Sequence, residues 1–284
     1  MTGRPTLPNP SSSKPVSEAR LRVGRICYTN VAPVETAFDV GAVERQATIR
    51  SGAPNVLNAM LSAGELDVSP VSAAHYLANT DQLSLLSDVG IVARSAAMSV
   101  VLVSRRPPAL LAGASIAVTR DSASGLALLQ AVLRGRHGVD ADYEGVDDPI
   151  AAAVGGRPTL LIGDNAIAVR DRVDAGDVHD LGTAWNSWTN LPMAFAVWAV
   201  RKDVHAVRPD HIATLAEAYE HARAWGADHS AEVVAAAMRQ RPRDRAFYES
   251  YFSTLTYTLD ERAHAGLNRF AREIANLESP RVAR

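Results

Sequence analysis

Four short stretches place small hydroxyl or amide residues where an apolar, strand-like segment hands over to a helix-like one. They are Tyr28-Thr29-Asn30, Ser69-Pro70-Val71-Ser72, Thr119-Arg120-Asp121-Ser122-Ala123-Ser124 and Gly163-Asp164-Asn165. A helix start leaves backbone N–H groups without intrahelical partners, and the aligned peptide dipoles put partial positive charge there. Such a stretch can hold a carboxylate or phosphate, and parallel sheets gather several of them at one edge. Each of these residues could equally cap its own helix. The four together predict a shared site for a small anion.

Candidate acids and bases are few. Asp164 lies beside a predicted ligand loop, where it is either a general base or the N-cap of the following helix. His75 and the other histidines are scattered, with no HExxH pattern and no His/Cys cluster, so no metal is expected. Neither GxGxxG nor GxxxxGK[ST] occurs, and Gly155-Gly156 runs into Arg157-Pro158 as a turn would, so no cofactor is expected. Cys27, inside a predicted strand, is a packing residue or a nucleophile. Trp185-Asn186-Ser187-Trp188-Thr189-Asn190 precedes a returning strand, which puts two tryptophans in the core or near the ligand and turns Asn190 towards it.

The elements that must position these residues alternate. Strands are expected at Leu21–Tyr28, Ala47–Arg50, Leu66–Val68, Ile91–Val92, Val100–Ser104, Ser115–Thr119, Ala141–Tyr143, Thr159–Ile162 and Met193–Val200. Helices follow 30–33, cover Pro54–Ala63 up to a C-capping Gly64, open at 69–72, run from Ser122 to Leu133 and over Pro149–Val154, and follow Gly163-Asp164. The alternation argues an α/β protein of two lobes, each a mixed, mostly parallel sheet flanked by helices, with a helical C-terminal region over about 209–278. Pro107-Pro108 marks the first crossing between lobes. Residues 21–105 plus 199–284 then form lobe 1, 106–198 form lobe 2, and the ligand cleft lies between them.

The chain has 284 residues, 47% of them hydrophobic, enough for two cores. Its 29 Lys+Arg against 31 Asp+Glu recommend neither nucleic acid nor an anionic membrane as partner. Residues 1–20, rich in Pro and Ser, read as a disordered leader without the apolar core of an export signal. One cysteine, and apolar runs such as 98–104 and 193–200 that are too short to span a bilayer, fit a cytoplasmic protein. The amphipathic tail fits a monomer or a homodimer.

Several motifs resemble the chorismate dehydratases of the futalosine route to menaquinone. These are Gly24-Arg25-Ile26 with Tyr28-Thr29-Asn30-Val31-Ala32-Pro33, Gly64-Glu65-Leu66-Asp67-Val68-Ser69-Pro70-Val71-Ser72, Ser99-Val100-Val101-Leu102-Val103-Ser104, Thr119 to Ser124, Leu161-Ile162-Gly163-Asp164, and Leu191-Pro192 through Trp198-Ala199-Val200-Arg201. They fall in the family's order over about 22–201. Family members often have leucine where Thr29 stands and serine where Ala73 stands. The resemblance implies a type II periplasmic-binding-protein-like fold used as a hydro-lyase. Chorismate would be the substrate, with 3-[(1-carboxyvinyl)oxy]benzoate and water as products.

Chorismate is a dicarboxylate with a hydroxyl on ring carbon 4 and an acidic hydrogen on carbon 3. Its enzyme must hold both carboxylates and stabilise charge developing on the ring carboxylate. Ser72, Ser99, Thr119, Ser122 and Ser124 are donors for substrate binding, with Asn190 beside them, and Asn30 offers donor and acceptor. Asn30 and Asp164 are the catalytic candidates. Either the substrate's enolpyruvyl carboxylate takes the carbon-3 proton while Asn30 orients it or the hydroxyl, or Asp164 is the base. Two other readings stay open. One is an enzyme like the 1,4-dihydroxy-6-naphthoate synthases, which usually carry a Cys-Pro-Asn-Asp-type loop where this chain has Tyr28-Thr29-Asn30. The other is a non-catalytic carboxylate-binding protein of the same fold.

Overall fold

The computed structural model describes residues 20–119 and 123–278. Ser122 and all but the last residue of the expected leader lie outside the described residues. Two mixed sheets form the framework, as expected for the two-lobed α/β fold.

The first sheet begins with β1 (Leu21–Ile26), a 3-10 turn at Thr29–Val31, α1 (Ala32–Asp39) and β2 (Ala47–Gly52). Then come α2 (Pro54–Ser62), β3 (Val68–Ser72), α3 (Ala73–Ala78) and β4 (Leu83–Ala93). Pro33 and Pro54 fall in the first turn of α1 and α2, where a missing N–H costs nothing. Gly64 takes φ 75° just past α2, which is the conformation a helix stop requires. Residues 69–72, expected to open a helix, form most of β3, and Ser72 at its end opens α3 as the N-cap. All five residues of β3 are buried between β1 and β10, and that packing overrides the Ser-Pro turn signal.

The second sheet holds β5 (Val100–Val103), β6 (Ser115–Thr119), α4 (Ala123–Ala131), β7 (Asp142–Val146) and α5 (Pro149–Val154). It continues through β8 (Thr159–Ile162), α6 (Gly163–Val169), β9 (Val178–Asp180) and α7 (Leu181–Thr189). The chain returns along β10 (Met193–Arg201), buried at seven of its nine positions because it lies between β3 and β4. It then forms α8 (Lys202–Val207), α9 (Pro209–Asp228), α10 (Ser230–Gln240) and α11 (Arg245–Thr254), followed by β11 (Leu255–Thr258) and α12 (Glu261–Glu278). The strand orders are β11-β4-β10-β3-β1-β2 and β7-β6-β8-β5-β9. Parallel pairs (β1–β2, β1–β3, β6–β7, β6–β8) meet antiparallel ones around β10 and β5 in each sheet.

Sheet membership divides the chain at 94–99 and 190–192, not at 105–106 and 198–199. Pro107-Pro108 does break the strand pattern, but it does so inside lobe 2, ahead of a 3-10 turn at Pro108–Leu110. The tail is not wholly helical either: Leu255-Thr256-Tyr257-Thr258 alternates buried and half-buried and adds β11 to the edge of β4. Helix α12 lies across the division, packing on β10 and α3 of one lobe and on α4 of the other, with Phe270 against Trp185 of α7. Trp185 is wholly buried at this seam, edge-on to Phe270 at 5.9 Å, so both tryptophans serve the core and not a ligand.

Both crossings contain a non-glycine residue in the left-handed region, Met98 (φ 57°) and Asn190 (φ 55°), and no other described non-glycine residue is there. Asp180 braces the first crossing by accepting from the N–H groups of Ala97 and Met98 at 2.9 and 2.7 Å. Asn190 is exposed, ends α7 and has its carbonyl held by Arg262 Nη2 at 2.7 Å. The position requires a backbone conformation that asparagine tolerates and β-branched residues resist, at a cost of roughly 1–2 kcal/mol. Asn190→Gly should therefore keep the melting temperature within a degree or two, whereas Asn190→Val should lower it by about 5 °C. Equal losses in thermal unfolding would show that the amide side chain matters rather than the φ angle.

Candidate functional site

A cavity of about 70 Å³ lies between the lobes, at the carboxyl ends of β1, β3 and β8. Its polar lining is Tyr28, Asn30, Ser72, Ser99 and Ser124, and its apolar walls include Ile26, Ile91, Ile162, Phe195 and Leu255. Pockets that take small organic ligands run to roughly 300–1,000 Å³. This cavity is smaller than that.

Ser72 is the N-cap of α3 and is nearly buried. Its Oγ accepts from the His75 N–H at 3.3 Å and from Asn58 Nδ2 at 3.4 Å. Ser124, in the first turn of α4 on the other lobe, accepts from the Ala74 N–H at 3.0 Å. Both hydroxyls thus spend acceptor capacity on the start of α3, and neither proton has an acceptor among the described residues. Both remain free to donate into the cavity. Ser99 is more fully used: Tyr251 Oη donates to its Oγ at 2.8 Å, and that Oγ donates to the Ala97 carbonyl at 3.3 Å.

Asn30 sits in the 3-10 turn after β1, and its Oδ1 is buried without a hydrogen-bond partner. A buried carbonyl oxygen left unpaired costs roughly 1–3 kcal/mol, so a ligand that donates to it gains accordingly. Tyr257 Oη donates to the Asn30 carbonyl at 2.8 Å and fixes the turn from behind. Burial pushes the phenols of Tyr251 and Tyr257 up from their ordinary value, so both stay protonated donors at neutral pH.

Asp164 does not line the cavity, although its neighbour Gly163 does. It makes no N-cap, since α6 has no side-chain cap and Asp164 lies inside its first turn. Its Oδ1 accepts from Thr29 N at 3.2 Å and Thr29 Oγ1 at 2.6 Å, and its Oδ2 from Arg241 Nε at 3.1 Å. With both oxygens occupied and neither facing the cavity, the geometry does not favour it as a base. Gly163 (φ 54°) allows this approach, because a Cβ there would meet the Tyr28 ring at 2.8 Å.

Of the remaining sequence candidates, Thr119 is buried at the end of β6 without lining the cavity, and Asn190 lies at the second crossing, exposed and away from it. Cys27 is exposed one residue past β1, so it does not pack inside a strand. The sequence reading missed Phe195 and Leu255 in the walls and Tyr251, Tyr257 and Arg241 behind them. The last three come from the tail, where no local motif marks them; only the fold brings them to the cleft.

The geometry agrees with what known proteins show. A relative from Thermus thermophilus named chorismate dehydratase is 30% identical over 259 residues, covering 86% of this chain and 91% of that protein. Among solved structures, a protein of Archaeoglobus fulgidus matches with TM-score 0.76 at 21% identity, covering 93% of this chain and 99% of that one. The periplasmic aliphatic sulphonate-binding protein of Escherichia coli matches with TM-score 0.65 at 16% identity, covering 92% and 93%. Likeness at these identities shows the fold, which is that of periplasmic binding proteins. The model of the menaquinone biosynthesis family matches residues 21–276, and the chain belongs to that family.

Proposed function

We propose that this chain is a chorismate dehydratase, a carbon–oxygen lyase that converts chorismate to 3-[(1-carboxyvinyl)oxy]benzoate and water in the interlobe cleft. The observation that carries this reading is the small set of uncharged polar side chains set into the largely apolar lining of the cavity. Ser72 and Ser124, whose hydroxyl protons have no acceptor among the described residues, line it together with Asn30, and among the described lining residues there is no carboxylate, imidazole or amine. The family and the name of the Thermus relative support the same reading. A biosynthetic role also favours a cytoplasmic location; no described helix is long and apolar enough to cross a membrane.

The chemistry follows from what each group can give. Ser72 and Ser124 donate to carboxylate oxygens, one from each lobe, so the substrate itself draws the lobes together. Loss of the carbon-3 proton builds negative charge that spreads through the ring double bond onto the ring carboxylate. Donors already aimed at those oxygens stabilise the charge as it grows. Asn30 Oδ1 accepts from the carbon-4 hydroxyl and fixes its orientation. With no base in the described wall, the enolpyruvyl carboxylate takes the proton. That proton leaves with the hydroxyl as water, and the ring becomes aromatic.

Ultraviolet spectra of the purified protein with chorismate test the reading. Conversion to a benzoate spectrum is expected, while saturable binding without spectral change would mark a non-catalytic binder. Asn30→Ala should lower kcat by about 100-fold with a much smaller change in KM, as loss of an oriented hydrogen bond in the transition state does; unchanged kcat in steady-state assays would remove Asn30 from the mechanism. Ser72→Ala and Ser124→Ala should each raise KM roughly tenfold, the size of a lost hydrogen bond to a charged group. Equal KM values in the variants and the parent would show that these hydroxyls do not meet the substrate.

A further inference from the structure

We infer that Asp164 is a positioning residue that completes the Asn30 turn only while the lobes are closed; its kinetic test rests on the dehydratase reading. Asp164 stands on α6 of lobe 2, yet every hydrogen bond its carboxylate makes goes to lobe 1, to Thr29 N, Thr29 Oγ1 and Arg241 Nε. A short acidic residue in a first helical turn ordinarily serves its own helix. This one leaves its helix uncapped and is 93% buried, so it must lose all three bonds, or take water in their place, when the cleft opens.

The consequence falls on Asn30. Thr29 N is held by Asp164 on one side of the turn, and the Asn30 carbonyl is held by Tyr257 Oη on the other. Between these two ties lies Asn30, which lines the cavity and whose Oδ1 is buried without a hydrogen-bond partner. The Tyr257 tie is internal to lobe 1 and survives opening, but the Asp164 tie does not. The open protein therefore keeps the lobe 1 ties, Tyr257 to the Asn30 carbonyl and Gln240 Nε2 to the Cys27 carbonyl at 2.7 Å, and the closed protein adds the hold of Asp164 on Thr29.

The Arg241-Pro242-Arg243 segment reinforces the contact. Arg241 meets Asp164 near the start of α6, and Arg243 reaches its far end, donating to the Ile167 carbonyl at 2.9 Å and to Asp171 at 2.7 Å. The segment thus grips α6 at both ends from the opposite lobe. A general base would need an oxygen facing the substrate; a positioning residue needs its oxygens facing protein, which is what Asp164 shows.

Three variants separate these roles: Asp164→Asn, Thr29→Val and Arg241→Gln, none of which changes a cavity-lining residue. Asp164→Asn and Thr29→Val should each lower kcat for chorismate about tenfold, since displacement of a catalytic group by about an ångström carries a penalty of that order or more. The double variant should be no worse than the worse single variant, and Thr29→Ser should restore most of what Thr29→Val loses. Thermal melting should confirm that each variant remains folded. Without ligand, small-angle scattering should show a larger radius of gyration for Asp164→Asn and Arg241→Gln than for the parent. Multiplicative effects in the double variant would overturn the proposal, as would loss of turnover in Asp164→Asn with none in Thr29→Val, the pattern of a base. If the parent leaves chorismate unchanged, the dehydratase reading fails, and scattering alone decides: equal radii in parent and variants would overturn the closure role.

Discussion

The two sheets are joined by only two chain crossings, and each passes through a residue held in a backbone conformation that side chains resist, Met98 in one and Asn190 in the other. Such a joint defines where the lobes turn while contributing little to how closely they sit. The distance between lobes is set by contacts that can break. Ser124 of lobe 2 accepts from the Ala74 N–H of lobe 1, Asp164 accepts from Thr29 and Arg241, and α12 lies across both bodies. The site exists because these contacts hold together residues that the chain keeps far apart.

The same division explains the electrostatics. The charged groups around the cleft are spent on one another, as Asp164 is with Arg241 and Asp171 with Arg243. The wall itself offers hydroxyls whose oxygens accept from α3 amides. A hydroxyl that accepts a hydrogen bond is a better donor, so Ser72 and Ser124 relay part of the peptide polarity of α3 into the cavity. The described lining residues include no lysine or arginine, so none of them buries a cation when the cleft is empty, a cost that such a side chain there would impose.

Much of this was legible in the sequence, and the reasons for the rest are specific. Strand–helix alternation located β6, α5 and β8 because each carries its own signal: a short β-branched run, or a proline in the first helical turn. Loops following strands placed Asn30, Ser72 and Ser124 at one edge because parallel strands gather them there. The lobe boundary was misplaced because a proline pair reports a break in hydrogen bonding and carries no information about which sheet the next strand joins. Asn190 was misread for a related reason: an asparagine before a strand suits a ligand as well as it suits a left-handed turn, and only its φ of 55° separates the two. Arg241, Tyr251 and Tyr257 were invisible because their partners lie 77, 152 and 227 residues away.

On the dehydratase reading, closure does more than assemble donors. Walls that close on a ligand exclude water from beside it. A carboxylate moved out of water becomes a stronger base, because desolvation disfavours its charged form. The ring carboxylate is shielded from that effect by the serine donors, while an enolpyruvyl carboxylate given fewer partners is not. One cleft can therefore make one carboxylate of the substrate a charge acceptor and the other a proton acceptor, with no carboxylate, imidazole or amine among its described lining residues. Once the hydroxyl has left, the donor that satisfied Asn30 Oδ1 is gone and the oxygen is again unpaired. The closed state then loses a contact that the substrate provided and the product cannot, which favours opening after the reaction over opening before it.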